Sequence, residues 1–339
     1  FAEPLRGFVA VERSTPHVAA RRGLMVALDL ERYDWRPGAR ALVRATEATV
    51  PERLPPRLRV REGAALELPH VLVLIDDPGE TVIGPVCDAA ARSPALYDFE
   101  LMNGAGRIRG FAVSEPARIE GVARALAALA EPALQAAKYG ASDGDPFLYA
   151  SGDGNHSLAA AKLCWDRRKG ALGAAQREKD PARFALVELV NVHDPGLRFE
   201  PIHRIVFDVD PDALLADLDR IPGAGPKHAL PWLASTRSGV ATLPAADEPL
   251  AIAALQGFLD GWLAKHPEAR IDYIHGDEAL ARLATEPRRV GFRLPAFEKS
   301  ALFPTVARRG VLPRKAFSLG EAEEKRFYLE ARRLGPASD

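Results

Sequence analysis

Apolar and polar positions near the start of the chain follow the short period of extended backbone. Phe8–Glu12 and Gly23–Leu30 alternate or run apolar between Pro and Gly residues, which predicts two strands. Ala41–Val50 predicts another. His70–Ile75 is an apolar run stopped by Asp76-Asp77-Pro78-Gly79, so both aspartates read as turn formers rather than as magnesium ligands. Tyr97–Met102 and Arg107–Val113 can pair as a hairpin across Asn103-Gly104. Leu54–Arg61 carries Arg57, Arg59 and Arg61 at period two, which places three guanidiniums on one face if the segment is extended. Residues 1–113 are therefore expected to form a strand-rich part.

The period then lengthens. Glu115–Ala137 has helical spacing after Ser114, a candidate N-cap. Phe147–Ala150 reads as a short buried strand and Asn155–Asp166 as a helix reaching toward Gly170. Strands are expected at Phe184–Val192, Ile202–Val209, Ser238–Leu243, Ile271–Ile274 and Val290–Leu294. Helices are expected from Asp210-Pro211 to Leu218, at Pro249–Lys265, after Asp277 as cap over Glu278–Ala284, at Lys299–Arg308 and at Glu321–Leu334. Ile221–Pro231 reads as a loop, and Ser318 with Glu321 as a capping box. Strand and helix alternate through residues 114–339, so the fold class expected is α/β (α+β), with the strand-rich part followed by a mixed α/β part.

Composition narrows the function. The 339 residues carry a net charge of −1, which removes bulk polyanion binding and makes nucleic acid an unlikely partner. No apolar run approaches the ~20 residues of a spanning helix. Cys87 and Cys164 form no Cys-x-x-Cys motif and fit a reducing compartment, so a cytoplasmic location is expected. Phe1–Arg6 reads as the interior of a longer chain.

The densest chemistry is at Ser151-Gly152-Asp153-Gly154-Asn155-His156-Ser157, where a buried strand ends and a helix begins at once. First-turn amides of a helix lack partners and carry partial positive charge, and glycines let the backbone approach a ligand. Such a junction suits a phosphate, with Gly152, Gly154, Asn155 and Ser157 as its cradle and His156 as a further donor. Asp153 suits a metal, an ammonium group or a base for a hydroxyl. The bland alternative is a tight turn with Asp153 or Asn155 as N-cap. Neither the Walker lysine nor the full dinucleotide fingerprint is present.

This box resembles the Asp-Gly-His-His-Arg box of the domain of unknown function 1015 family. Thr46-Glu47-Ala48-Thr49, Pro201-Ile202-His203-Arg204 and Leu312-Pro313-Arg314-Lys315 fit the same family. It is similar to the ParB/sulfiredoxin group, and some relatives are kinases of free L-serine. The resemblance implies phosphoryl transfer from ATP, ADP or pyrophosphate to free serine or a similar small hydroxyl compound. It implies Mg²⁺ as a possible cofactor, with Asp153 or Glu47 as its ligand. Asn155 replaces the first His of the box, and Ser157 replaces its Arg, which removes a bidentate phosphate grip. Non-catalytic nucleotide binding of the ParB type is the alternative.

Asp153, His156 and Glu47 are thus the catalytic candidates. Arg53 and Arg57 could clamp the donor, although a solvated face balanced by Glu52 and Glu62 explains most of that arginine run. His203, Arg204 and Lys315 join as phosphate-binding candidates through the resemblance. Neighbours on a strand point to opposite faces, so only one of His203 and Arg204 should face a given site.

Overall fold

Antiparallel ladders form where the alternating segments meet. The computed structural model describes all residues except 1–3, 69, 141–145, 224, 246–249, 322–323, 325–328 and 336–339. Its strands up to residue 191 are β1 (Phe8–Ser14), β2 (Arg21–Asp29), β3 (Tyr33–Asp34), β4 (Val43–Ala45), β5 (Leu66–Glu67), β6 (Leu72–Ile75), β7 (Ala95–Glu100), β8 (Arg107–Val113), β9 (Tyr149–Asp153) and β10 (Phe184–Asn191). Nine of them build one mixed sheet in the order β3-β4-β9-β6-β10-β2-β1-β8-β7. The pairs β4/β9 and β6/β10 are parallel, while β6/β9 and β1/β2 are antiparallel. The hairpin β7/β8 turns at Asn103 and Gly104, both with positive φ (61° and 66°), as Asn-Gly favours.

Helices up to residue 179 are α1 (Leu54–Arg61), α2 (Ile83–Ala90), α3 (Pro116–Leu129), α4 (Pro132–Tyr139), α5 (Asn155–Lys169) and α6 (Ala174–Lys179). The single helix expected over Glu115–Ala137 is two. Pro132 lacks an amide to continue α3, so it opens α4 at its first position, and Glu115 rather than Ser114 stands at the α3 cap. The core joins Leu24, Val73, Ile75 and Val187 of the sheet to Leu158 and Trp165 of α5.

Two compact units emerge. The first comprises residues 1–198, 299–311 and 319–339, and the second 199–298 and 312–318. The division expected at residue 113 falls between β8 and α3, inside the first unit. The second unit contains β11 (Phe199–Phe207), β12 (Lys227–Ala234), β13 (Arg237–Pro244), β14 (Arg270–His275) and β15 (Arg289–Phe292), ordered β13-β12-β15-β11-β14, with β16 (Phe317–Leu319) on β11. Its helices are α7 (Pro211–Asp219), α8 (Ala251–Leu263) and α9 (Asp277–Ala284). The expected loop Ile221–Pro231 turns extended from Lys227, because Pro231 offers its carbonyl to the Arg293 amide and needs no amide of its own.

Further expectations are corrected. Asp277 is the first residue of α9 and Gly276 stands at the cap; the Asp277 carboxylate pairs with Arg293 at 3.0 Å. Ser318 lies in β16, not in a capping box. Part of the expected helix Glu321–Leu334 lies outside the described residues, as does Pro249. Arg332–Arg333 instead forms strand β17 against β5, because Arg332 reaches the buried Glu67 carboxylate at 2.7 Å. Lys299–Arg308 resolves into a single turn followed by α10 (Leu302–Arg309).

Asp76 does more than make its turn. Its carboxylate meets His193 Nε2 at 2.6 Å and accepts from Lys138 Nζ at 3.1 Å and the Tyr139 hydroxyl at 2.5 Å, tying α4 to the end of β6. Partial burial pushes this carboxyl up, but the bonds from Tyr139, His193 and Lys138 outweigh it and leave the pKa below its ordinary value. A lowered folded-state pKa stabilises above the unfolded pKa and is lost as pH falls through the folded value. Asp76→Asn should therefore cost about 2 kcal/mol at pH 7 in urea titrations. The gap to the natural chain should narrow below about pH 4.

Candidate functional site

The candidate loop forms where β9 runs into α5. Gly154 sits at the helix cap with φ +82°, and no side chain caps the helix. A Cβ on Gly154 would lie 3.0 Å from Val71 Cγ2 and 3.1 Å from Val71 Cα, so both conformation and space demand glycine. A Cβ on Gly152 would meet Leu74 at 2.8 Å. Asp153 is not an N-cap: its Oδ1 accepts from the adjacent Gly154 amide at 2.8 Å. The amides of Ser157 and Leu158 both donate to the Gly154 carbonyl, at 2.9 and 3.0 Å. Those of Asn155 and His156 find no acceptor within the helix, and the positive end of its dipole lies there.

The segment before α1 clasps this loop. Thr46 Oγ1 donates to the Ser151 carbonyl at 2.6 Å, and the Thr46 amide donates to Asn155 Oδ1 at 3.3 Å. Asn155 is thereby buried and structural on its amide-oxygen side. The Val50 amide donates to His156 Nε2 at 3.0 Å, which puts the proton of the neutral ring on Nδ1. Glu47 lies half-buried between these two tethers. Ser151 Oγ and Thr49 Oγ1 are buried without a hydrogen-bond partner among the described residues. A buried polar group left unsatisfied costs about 1–3 kcal/mol.

Arg53 closes a single 3₁₀ turn, Pro51–Arg53, and its carbonyl accepts from Arg57 Nη1 at 2.8 Å. The segment after it is helix, not strand. Leu54 and Leu58, four apart, pack on Ala159 and Ala160 of α5, and that apolar period decides over the alternation of arginines. Arg57 and Arg61 now share a helix face, while Arg59 points about 200° away from Arg57.

His70, which the sequence reading passed over, stands on this site. Its Nε2 lies 2.5 Å from Ser157 Oγ. His70 is exposed, yet desolvation by the protein packed beside it lowers its pKa. The Leu68 carbonyl and Asp153 oppose that shift, and the charges of Arg57 and Arg61 add to it. No local motif announces His70. Only the antiparallel pairing of Leu72 with Asp153 brings it to the loop.

His203, Arg204 and Lys315 belong to the second unit. His203 and Arg204 are both buried. His203 Nδ1 accepts from the Leu294 amide at 3.1 Å, and burial lowers its pKa. Arg204 donates to Gln256 Oε1 at 3.0 Å and to the carbonyls of Ile202 and Arg314 at 2.6 and 3.1 Å, with its guanidinium over the Tyr273 ring. Lys315 is exposed in a turn with φ 55°. In the first unit, Thr46, Val50 and His70 reach residues 151–157.

Fold and loop together define a mixed α/β protein with a glycine-cornered strand-to-helix junction. The chain belongs to the family described as protein of unknown function (DUF1015), whose model matches residues 1–270. No curated protein matches it. Among solved structures, it is similar to SbnI with a C-terminal truncation from Staphylococcus aureus, at 10% identity, over 88% of this chain and 83% of that one, with TM-score 0.44. A conserved hypothetical protein from Pyrococcus furiosus is similar at 12% identity, over 92% and 94%, with TM-score 0.43. A variant free serine kinase in complex with AMP is similar at 11% identity, over 94% and 90%, with TM-score 0.44. Likeness at this level carries no chemistry over to this chain. Among the described residues, no helix is long and apolar enough to cross a membrane.

Proposed function

We propose that this protein is a small-molecule kinase that transfers a phosphoryl group to free serine or a similar hydroxyl compound, through a ParB/sulfiredoxin-like phosphate loop. The observation that carries the reading is the junction at Gly154: a left-handed glycine, first-turn amides without helix acceptors, and an adjacent carboxylate, Asp153. The amides of Asn155 and His156 would hold the transferred phosphoryl oxygens, where charge builds in the transition state. Glu47 or Asp153 would accept the proton of the attacking hydroxyl. Arg57 would offset charge on the donor, be it ATP, ADP or pyrophosphate. Glu47 and Asp153 are hard oxygen donors of the kind Mg²⁺ takes, and the ion would neutralise donor phosphate charge when bound.

The test is incubation with L-serine, Mg²⁺ and, separately, ATP, ADP or pyrophosphate, read by ³¹P NMR. Phosphoserine with at least one donor is expected; none with any donor rejects the reading. One observation favours a second reading, nucleotide binding without turnover: Ser157 stands at the arginine position of the box, so the bidentate phosphate grip is missing there. Tight nucleotide binding with no phosphoserine would support that alternative.

A further inference from the structure

Ser157 and His70 form a hydroxyl–imidazole pair at the mouth of the phosphate loop. Ser157 is the third residue of α5, a fifteen-residue helix. Its Oγ lies 2.5 Å from His70 Nε2. In the neutral tautomer protonated at Nδ1, the Nε2 lone pair faces the hydroxyl. A hydroxyl nucleophile with a base within hydrogen-bond reach is the pairing that covalent catalysis uses. The loop adds what an attacked phosphorus needs, the amides after Gly154 and the nearby charge of Arg57.

The geometry points to Ser157 as a phosphoryl acceptor, with His70 as its base, so that the kinase reaction proposed above, on which this inference rests, runs through a phosphoserine enzyme. In the first half, Ser157 Oγ bonds to the terminal phosphorus of the donor. The bridging P–O bond breaks, its electron pair leaves with ADP, AMP or inorganic phosphate, and the hydroxyl proton passes to His70 Nε2. In the second half, the acceptor hydroxyl bonds to that phosphorus while its proton goes to Glu47 or Asp153. The Ser157 Oγ–P bond breaks, and His70 returns its proton to Oγ.

The experiment incubates the full chain with Mg²⁺ and ATP, ADP or pyrophosphate, without L-serine, and maps phosphorylation by peptide mass spectrometry. One HPO₃ on Ser157 is expected with at least one donor, together with loss of the label in Ser157→Ala. Labelling should slow by about 10²–10⁴-fold in His70→Asn, the range of a general base. L-serine added afterwards should discharge the label as free phosphoserine. A Ser157 label that L-serine does not discharge keeps the nucleophile and removes the serine acceptor. Phosphoserine made by Ser157→Ala at the natural rate, or by a natural chain whose Ser157 never labels, overturns the covalent route and leaves the kinase standing. Absence of both products overturns both. Far-UV circular dichroism of the two variants shows that any loss is chemical rather than a failure to fold.

Discussion

Replacing Glu47 by glutamine, or Asp153 by asparagine, is expected to lower phosphoryl transfer by about 10²–10⁴-fold for whichever carboxylate takes the hydroxyl proton. The amides are near-isosteric and keep the hydrogen-bonding oxygen. Asp153 Oδ1 accepts from the Gly154 amide, and an asparagine oxygen can accept there too. Thermal midpoints should therefore move little while turnover falls. The carboxylate that serves as base should show a loss in kcat with little change in KM, because its effect belongs to the transition state. Steady-state rates with the active donor decide between the two residues. Undiminished rates in both variants would remove both from the chemistry.

Alanine at Gly154 is the second large effect, and it acts on fold and site together. A non-glycine residue in left-handed backbone costs about 1–2 kcal/mol. At Gly154 the added Cβ also presses on Val71, whose Cα is 3.1 Å away and cannot swing aside. The sum should be about 2–3 kcal/mol. Gly38 is an internal control: its φ is +77°, but a Cβ there meets nothing within 4 Å. Gly38→Ala should cost only the conformational part, about 1 kcal/mol. Urea titrations of both variants read the difference, which measures how tightly Val71 walls the loop. The Gly154 variant should also lose phosphate binding, since the amide geometry at the head of α5 depends on that corner.

Much of the fold was legible in the sequence because its signals were local. The hairpin at Asn103-Gly104 rests on residues that tolerate positive φ, and α5 begins at the residue that follows Gly154. The arginine segment misled because alternation of Arg57, Arg59 and Arg61 carries no packing energy. The apolar spacing of Leu54 and Leu58, which does, made it helical. The end of the chain was hidden for another reason: strand β17 exists through the pairing of Arg332 with Glu67, a partner some 265 residues away that no local window contains. The site divides in the same way. The loop itself could be found from its glycines and its position between strand and helix. The tethers from Thr46 and Val50, and the approach of His70 to Ser157, depend on strand register and were invisible until the sheet was assembled.

Titrating the ¹⁵N-labelled protein with pyrophosphate, and following the backbone amides of Gly154, Asn155 and His156, tests the proposed phosphate cradle directly. Saturable shifts of these three amides, lost in Gly154→Ala, are the expected result. Amides that stay still while pyrophosphate binds elsewhere, or does not bind, would contradict it.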